Sequence, residues 1–218
     1  MATIGERAFE NYCNLNNLIF KKVGEADDKT PDYELFIGES KVIVEIKDLE
    51  LNDEEKAFIE RFDTHGRAIS ESFKPGTRIR HKVEKARQQL KRVFTGNDPA
   101  VLIMVDTRPD VVKGISPYEL KVAMYGIETY ELAVPKDFSP PITTGHKFGK
   151  DNKFRPNKND HISGIGILDE GHLSIYHNIF AANPLSISIL NALPEVTQYT
   201  LETEGNSDAF CDWKEVSS

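Results

Sequence analysis

The sequence predicts an α/β protein in which helices cover a mixed β-sheet, and three local patterns lead to this fold class. Residues 33–37 and 41–47 alternate apolar and polar side chains on either side of Gly38-Glu39-Ser40, which is typical of an antiparallel hairpin. Residues 78–94 repeat apolar side chains every three or four positions and predict an amphipathic helix. Residues 101–105 are apolar throughout, as in a strand buried on both faces.

The other elements follow in chain order from the same kinds of pattern. Phe9, Tyr12 and Cys13 recur at helical spacing, which predicts a first helix over residues 6–16. Residues 134–160 hold four prolines and no periodicity, so we expect a long loop there. The remaining predicted elements are helices at residues 53–62 and 118–129 and a C-terminal hairpin at residues 162–168 and 172–177.

Length and composition favour one folded domain over residues 1–218. The chain has 28% charged and 39% hydrophobic residues, which is ordinary for a globular protein, and no repeat or linker divides it. Its longest apolar run, residues 101–105, is far shorter than the roughly 20 residues of a membrane-spanning helix. The chain becomes charged at Glu6 and Arg7, without the pattern of a secretory signal, so we expect a cytoplasmic protein.

Only two cysteines occur, Cys13 and Cys211, and they are far apart in the sequence. This number and spacing exclude a disulfide framework and a zinc finger. Two free thiols fit a reducing compartment.

Charge is distributed unevenly along the chain, although the formal net charge is −8. Residues 72–92 carry eight lysines and arginines against Glu84 alone, a local net charge of +7, and residues 134–160 add +3. Residues 195–218 form an acidic tail with a net charge of −5. Such segregation suits a directional site for a polyanion, while a solvated helix face remains the alternative for the basic helix.

The hairpin places acidic side chains on one of its faces. If Gly38 faces Lys41, then Asp32 lies opposite Lys47 and Glu34 opposite Glu45, while the other face is apolar. Asp32 and Glu45 would then be diagonal neighbours about 5 to 8 Å apart, near enough for one cation. Carboxylate oxygens favour Mg²⁺, with Mn²⁺ as the second choice. Ordinary charges on an exposed hairpin edge are the alternative explanation.

With Pro31-Asp32 at the start of the first strand and Glu45-Ile46-Lys47 at the end of the second, the chain resembles the PD-(D/E)xK, or restriction-endonuclease-like, nuclease superfamily. The preceding helix, the following basic helix and the buried strand resemble that superfamily's αβββαβ core from about residue 5 to residue 106. The resemblance implies a mixed central sheet flanked by helices, with a loosely matched extension over residues 107–194 that includes a C-terminal β-hairpin.

The resemblance also implies roles for individual residues. Asp32 and Glu45 would be metal ligands, the Ile46 carbonyl a third ligand, and Lys47 the group that orients or activates the attacking water. A carboxylate from the first helix is expected to assist; Glu6 is the preferred match and Glu10 the alternative. The simpler interpretation of either one is a favourable acid near a helix N-terminus.

Two groups of residues are candidates for nucleic-acid contacts. A polar stripe lies beside the apolar stripe of the basic helix, and the long loop carries further cations with interleaved phenylalanines. The candidates are Arg78, Lys82, Lys85 and Gln89 on the helix, and Lys150, Lys153 and Arg155 in the loop.

Together these observations predict a Mg²⁺-dependent endonuclease that hydrolyses DNA phosphodiester bonds, with a role in restriction, defence or repair by analogy. DNA is favoured over RNA as the partner, no membrane is expected, and a homodimer or a protein partner is compatible with the sequence. The alternative is a catalytically idle module of the same fold that binds nucleic acid or a protein.

Overall fold

A computed structural model describes residues 2–24, 30–65, 74–93, 96–137, 139–149, 152–202 and 212–216. The helices are α1 (Ile4–Leu15), α2 (Asp53–His65), α3 (Thr77–Val93), α4 (Pro117–Tyr125) and α5 (Ile187–Leu190). The strands are β1 (Ile19–Lys22), β2 (Tyr33–Ile37), β3 (Ser40–Leu49), β4 (Ala100–Asp106), β5 (Glu128–Ala133), β6 (Ile142–Phe148), β7 (Gly164–Asp169), β8 (His172–His177), β9 (Val196–Leu201) and β10 (Trp213–Glu215).

Eight of these strands form one mixed sheet in the order β1-β2-β3-β4-β7-β8-β9-β10. Strand β2 is antiparallel to both of its neighbours, β1 and β3. Strand β4 runs parallel to both β3 and β7. Strands β5 and β6 pair separately as a small antiparallel sheet. The α/β class and the mixed sheet expected from the sequence are therefore confirmed.

Helices cover the central strands on both faces, because parallel strands bury both of their faces. Helix α1 packs Phe9 and Tyr12 against one face, in a cluster that includes Val44 and Ile46 of β3. Helices α3 and α4 pack against the other face, where the predicted apolar stripe of α3 is buried. The stripe consists of Ile79, Val83, Ala86 and Leu90.

The predicted register of the first hairpin is wrong by two residues. Ile37 pairs with Ser40 and Tyr33 with Val44, so the turn is Gly38-Glu39 and Glu34 lies opposite Ile43 rather than Glu45. Gly38 has a φ of 59°, the positive value that the first position of a two-residue type II′ turn requires, which places the turn one residue earlier than expected. Because side chains alternate with a period of two, this shift leaves each side chain on its predicted face.

The second half of the chain is more regular than the sequence suggested. Residues 134–160 are not one long loop, since β6 lies within them and pairs with β5. The helix predicted to residue 129 ends earlier, at Tyr125, and Gly126 follows with a φ of 93°. The predicted hairpin of β7 and β8 is present. The acidic tail contributes β9 and β10 to the main sheet.

Helix α2 stands apart from this packing, since none of its side chains that the structure describes is buried.

No described helix has both the length and the apolar character needed to cross a membrane.

We predict that Gly76→Ala destabilises the fold by about 3 kcal/mol, from a left-handed backbone and overpacking together. Gly76 has a φ of 72° at the start of α3, and an added Cβ would lie 2.7 Å from the Glu119 carbonyl oxygen and 2.8 Å from the Ala123 nitrogen. Gly38→Ala is the matched control, because Gly38 has a positive φ but open space around it, and it should lose only about 1 kcal/mol. Urea unfolding measures both, and equal losses would show that the approach of α3 to α4 is not tight.

Candidate metal centre

Two of the predicted catalytic side chains lie in the middle of the molecule, on β3. Val44 and Ile46 face α1, so Glu45 and Lys47, which alternate with them, point to the α3 side of the sheet. The side chain of Glu45 is fully buried, whereas that of Lys47 is 21% exposed. Lys47 therefore marks where the site opens to solvent.

The site forms just before β2 begins, beside the part of β3 that extends past it. Tyr33 pairs with Val44 at the start of β2. If this pairing continues toward the N-terminus, Asp32 lies opposite Glu45 and Pro31 lies opposite Ile46. Ile43 donates its N–H to the Pro99 carbonyl on the β4 side, so the backbone groups of Ile46 point toward β2.

Asp32 and Pro31 together interrupt the backbone pairing at Ile46. The Oδ2 atom of Asp32 accepts the Ile46 N–H at 2.7 Å, taking the place of a strand carbonyl. Pro31 has no N–H to donate to the Ile46 carbonyl. The Pro-Asp pair thus fixes the Asp32 carboxylate beside β3. It also leaves the Ile46 carbonyl without a backbone hydrogen bond from Pro31.

Glu45 is only partly satisfied in its buried position. Its Oε1 atom forms an ion pair with the Lys47 ammonium. Its Oε2 atom is buried and makes no hydrogen bond of ordinary geometry with the described residues, although the Asp32 backbone N–H is near enough to oppose the rise of the Glu45 pKa. An unsatisfied buried carboxylate oxygen is expensive, so this atom identifies a place where a ligand would be favourable.

The electrostatic state of the two carboxylates reflects this crowding. Burial raises the pKa of Glu45 to about 7, and the negative charge of Asp32 raises it further, while Lys47 opposes the shift. Burial also raises the pKa of Asp32, against the Ile46 amide and the charge of Lys47. Both carboxyls therefore hold protons more tightly than ordinary surface acids.

A hard divalent cation fits this donor set. The described residues contain no group of three or more His, Cys, Asp or Glu side chains placed to hold a metal. The centre instead offers two carboxylates, one with an unpaired oxygen, and the Ile46 carbonyl. Mg²⁺ is commonly held by one or two carboxylates and completes its octahedron with water and substrate phosphates. The oxygen ligands exclude a preference for soft metals.

The two candidate acids of α1 are both engaged by other residues. Glu6 forms an ion pair with Lys22 at 2.6 Å, and Glu10 accepts a hydrogen bond of 2.7 Å from the Tyr33 hydroxyl. The charge of Glu6 contributes to the raised pKa of Asp32. Glu6 therefore influences the centre through its charge, and Lys22 would have to release it before it could bind a metal.

One flank of α3 runs alongside the centre. Gln89 donates to the Thr30 carbonyl at 3.2 Å, immediately before Pro31-Asp32. At the other end of this flank, Arg78 binds Glu55 and the Glu50 carbonyl. Gln89 and Arg78 thus have internal partners, which makes them positioning residues.

The two lysines of this flank differ in exposure. Lys85 is exposed. Lys82 is half-buried, and burial lowers its pKa, with a further lowering by the charge of Lys85. These two cations lie between Gln89 and Arg78 along the helix and remain the candidates for phosphate contacts near the centre.

The loop residues predicted to bind nucleic acid are on the opposite flank of α3. Lys153 forms an ion pair with Glu84 at 2.9 Å, and Arg155 is exposed nearby. Glu84 and Gln89 project from opposite sides of the helix, at 100° per residue. Lys153 and Arg155 therefore do not join the centre, and Lys150 lies outside the described residues.

Sequence reasoning missed the role of Asp48. Its Oδ1 atom accepts the Gly5 N–H at 2.8 Å, so it binds the first turn of α1. A side chain at Gly5 would collide with this carboxylate, which explains the close approach of the helix to β3. The alternation of side chains along β3 could have revealed it. Asp48 falls on the same face as Val44 and Ile46, so an acid is placed where the strand meets α1.

Glu45 should make the stability of the metal-free protein depend on pH. The unfolded state ionises Glu45 near pH 4.5, whereas the folded state keeps its proton until about pH 7. As the pH rises from about 4.5 to about 7, the contribution of Glu45 to the free energy of unfolding therefore falls by about 3 kcal/mol. Above pH 7 this contribution no longer changes. We expect Glu45→Gln to lose this fall and to be more stable than wild type at pH 8. Urea unfolding in EDTA at pH 5 and pH 8 measures the difference.

Glu34→Gln is the control, since Glu34 is a partly exposed acid of the same hairpin that pairs with Lys41. It should retain the pH dependence of the wild type. Identical pH profiles for wild type and Glu45→Gln would show that the buried carboxyl does not carry the effect.

Comparisons with known proteins return no match: no family model, no curated protein and no solved structure is similar to this chain. The functional argument therefore depends on the geometry of the chain's own residues.

Proposed function

We propose that this protein is a metal-dependent nuclease that hydrolyses DNA phosphodiester bonds. The observation that carries the proposal is the convergence of Asp32, Glu45 and Lys47 at the N-terminal end of β2, with a buried oxygen of Glu45 left without an ordinary hydrogen bond. A purely structural ion pair would not need that oxygen to stay unsatisfied, since such atoms destabilise a fold.

The order of elements supports a restriction-endonuclease-like core. Helix α1 precedes the antiparallel strands β1, β2 and β3, helices α2 and α3 follow, and β4 then pairs in parallel with β3. This order corresponds to the αβββαβ arrangement that the sequence resembles. The site lies on the second and third of these strands, as the resemblance implies.

Each residue has a chemical role in the proposed reaction. Asp32, Glu45 and the Ile46 carbonyl would hold Mg²⁺ or Mn²⁺, which supplies charge neutralisation on the phosphate and polarises the attacking water. The Lys47 ammonium, at the open side of the site, donates hydrogen bonds to the attacking water and to a phosphate oxygen. Lys82 and Lys85 lie on the adjoining flank of α3 and contact neighbouring phosphates.

A catalytically idle module is the second candidate. The internal partners of Arg78 and Gln89 leave fewer groups beside the centre to hold nucleic acid, which favours a module with a protein partner. The net charge of −8 favours it as well. Such a module would bind its partner without cutting it.

Cleavage should require both Asp32 and Lys47. We expect wild type to cut supercoiled plasmid or single-stranded DNA with Mg²⁺ or Mn²⁺ and to be inactive in EDTA. Asp32→Ala and Lys47→Ala should each lower the rate by about 100-fold or more, because one removes a ligand and the other a donor to the reacting groups. Gel assays of initial rates measure these effects.

Matched controls come from the same hairpin. Glu34→Ala and Lys41→Ala remove an acid and a lysine of the same hairpin that pair with each other at 3.5 Å, and both variants should cut like wild type. Full activity of Asp32→Ala would refute the proposed centre. Nucleic-acid binding without cleavage under any metal would favour the idle module.

Metal binding should also appear as stabilisation. A ligand that binds only the folded state raises the free energy of unfolding by RT ln(1 + [L]/Kd), about 2.7 kcal/mol at a hundredfold excess over Kd. We expect Mg²⁺ to raise the melting temperature of wild type and Glu34→Ala but not of Asp32→Ala. Differential scanning calorimetry at pH 8, where Glu45 is ionised, measures the shift. An equal rise in all three proteins would place the metal elsewhere.

A further inference from the structure

A second group of cations lies on the flank of α3 that faces away from the candidate centre. Helix α3 contributes two of them, and the loop between β6 and β7 contributes three. We call this group the second basic patch; its members are Arg87, Lys91, Lys153, Arg155 and Lys158.

The loop that carries three of the five patch residues is fixed on the protein. The Lys153 N–H donates to the Ala123 and Met124 carbonyls at 3.2 and 3.1 Å, and the Phe154 side chain is fully buried. On the α3 side, the Nε2 atom of His161 lies 3.1 Å from the Arg87 carbonyl oxygen. The loop and the helix flank therefore present their charges in a set arrangement.

Positive charge on this surface is only partly balanced. Glu84 faces it and pairs with Lys153 at 2.9 Å and with Arg87 at 2.6 Å. Asp160 is the second acid, close enough to act on His161. Among the residues of this surface that the structure describes, five cations against these two acids leave an excess of three positive charges.

Electrostatic effects inside the patch agree with this excess. Burial lowers the pKa of Lys158, and the neighbouring charges of Arg155 and Lys153 lower it further. Cations that repel one another are stabilised by an anion placed among them. Lys91 and Arg155 are exposed and can reach such an anion.

The solvent face of α3 connects the patch with the centre. Lys85, at the outer edge of the flank beside the centre, and Arg92 are both exposed toward this face. A helix with its side chains is about 10–12 Å across, so the two flanks of α3 are about that far apart. This distance equals the rise of about three base pairs of duplex DNA, at about 3.4 Å each. A duplex lying over α3 would thus meet cations on both flanks.

We propose that the second basic patch binds the phosphate backbone of duplex DNA that extends beyond the cleavage site and crosses α3. This inference takes the class of partner from the proposed nuclease function, while its support is the fixed and unbalanced charge of the patch. Lys153 and Arg155, which the sequence predicted to bind nucleic acid, thus belong to a surface separate from the centre. Arg87 and Lys91 of α3 complete that surface.

The test measures how affinity depends on salt. Wild type and the double variant Lys91→Gln/Arg155→Gln would bind a fluorescein-labelled 20-base-pair duplex in EDTA, with anisotropy recorded from 50 to 200 mM KCl. Each lost phosphate contact lowers the slope of log K against log salt by about 0.9. We expect the slope to fall by about 2 and the affinity at 100 mM to fall about tenfold.

The control double variant is Lys21→Gln/Lys56→Gln, which removes two exposed lysines on β1 and α2. Its slope and affinity should stay within twofold of wild type. Equal effects of the two double variants would overturn the proposal, as would tighter binding of duplex RNA than of DNA.

This test and the cleavage assay fail independently. If the patch variant loses binding while wild type cuts nothing, the patch is supported and the nuclease proposal is not. If wild type cuts DNA but the patch variant binds like the control, the nuclease proposal is supported and the patch is overturned.

Discussion

The parallel pairing of β3 with β4 is the constraint on which the rest of this structure depends. A parallel connection needs a crossover, and α3 provides it by packing its apolar stripe on the sheet. Parallel strands are covered on both faces, so α1 occupies the other side. Any polar residue in the middle of β3 is therefore buried, and Glu45 is such a residue. The raised pKa of its carboxyl follows first from its burial in the sheet and then from the nearby charge of Asp32.

Local patterns in the sequence were sufficient for the elements near the site. Period-two alternation gave the correct face to every residue of β2 and β3, even though the turn was misplaced, because a two-residue shift does not exchange the faces. The apolar stripe of α3 was equally clear, since the register of Ile79, Val83 and Leu90 is set by the helix alone. Strands β1, β5, β6, β9 and β10 were missed. No residue of β1, β5 or β10 is buried, so these strands show little hydrophobic alternation.

Long-range partners were beyond the reach of sequence patterns. The bond from Gln89 to Thr30 and the ion pair of Lys153 with Glu84 join residues 59 and 69 positions apart, and each depends on how helix and loop meet in three dimensions. Sequence position could suggest that these polar groups share a function, but not which flank of α3 they occupy. For the same reason the choice between Glu6 and Glu10 depends on Lys22 and Tyr33, which lie on the neighbouring strands.

The pairing of β2 with β3, rather than the length of the Gly38-Glu39 turn, fixes the geometry of the site. As long as Tyr33 stays paired with Val44, an added pair of residues lengthens the hairpin outward and widens the interval of thirteen positions between Asp32 and Glu45 without moving either side chain. A single added residue can also be held in a longer turn or a bulge while that pairing is kept. A residue inserted between Val44 and Glu45 would instead rotate Glu45 into the apolar layer under α1. The distance between the two acids along the chain can therefore change at the turn, but not within the strand that carries Glu45.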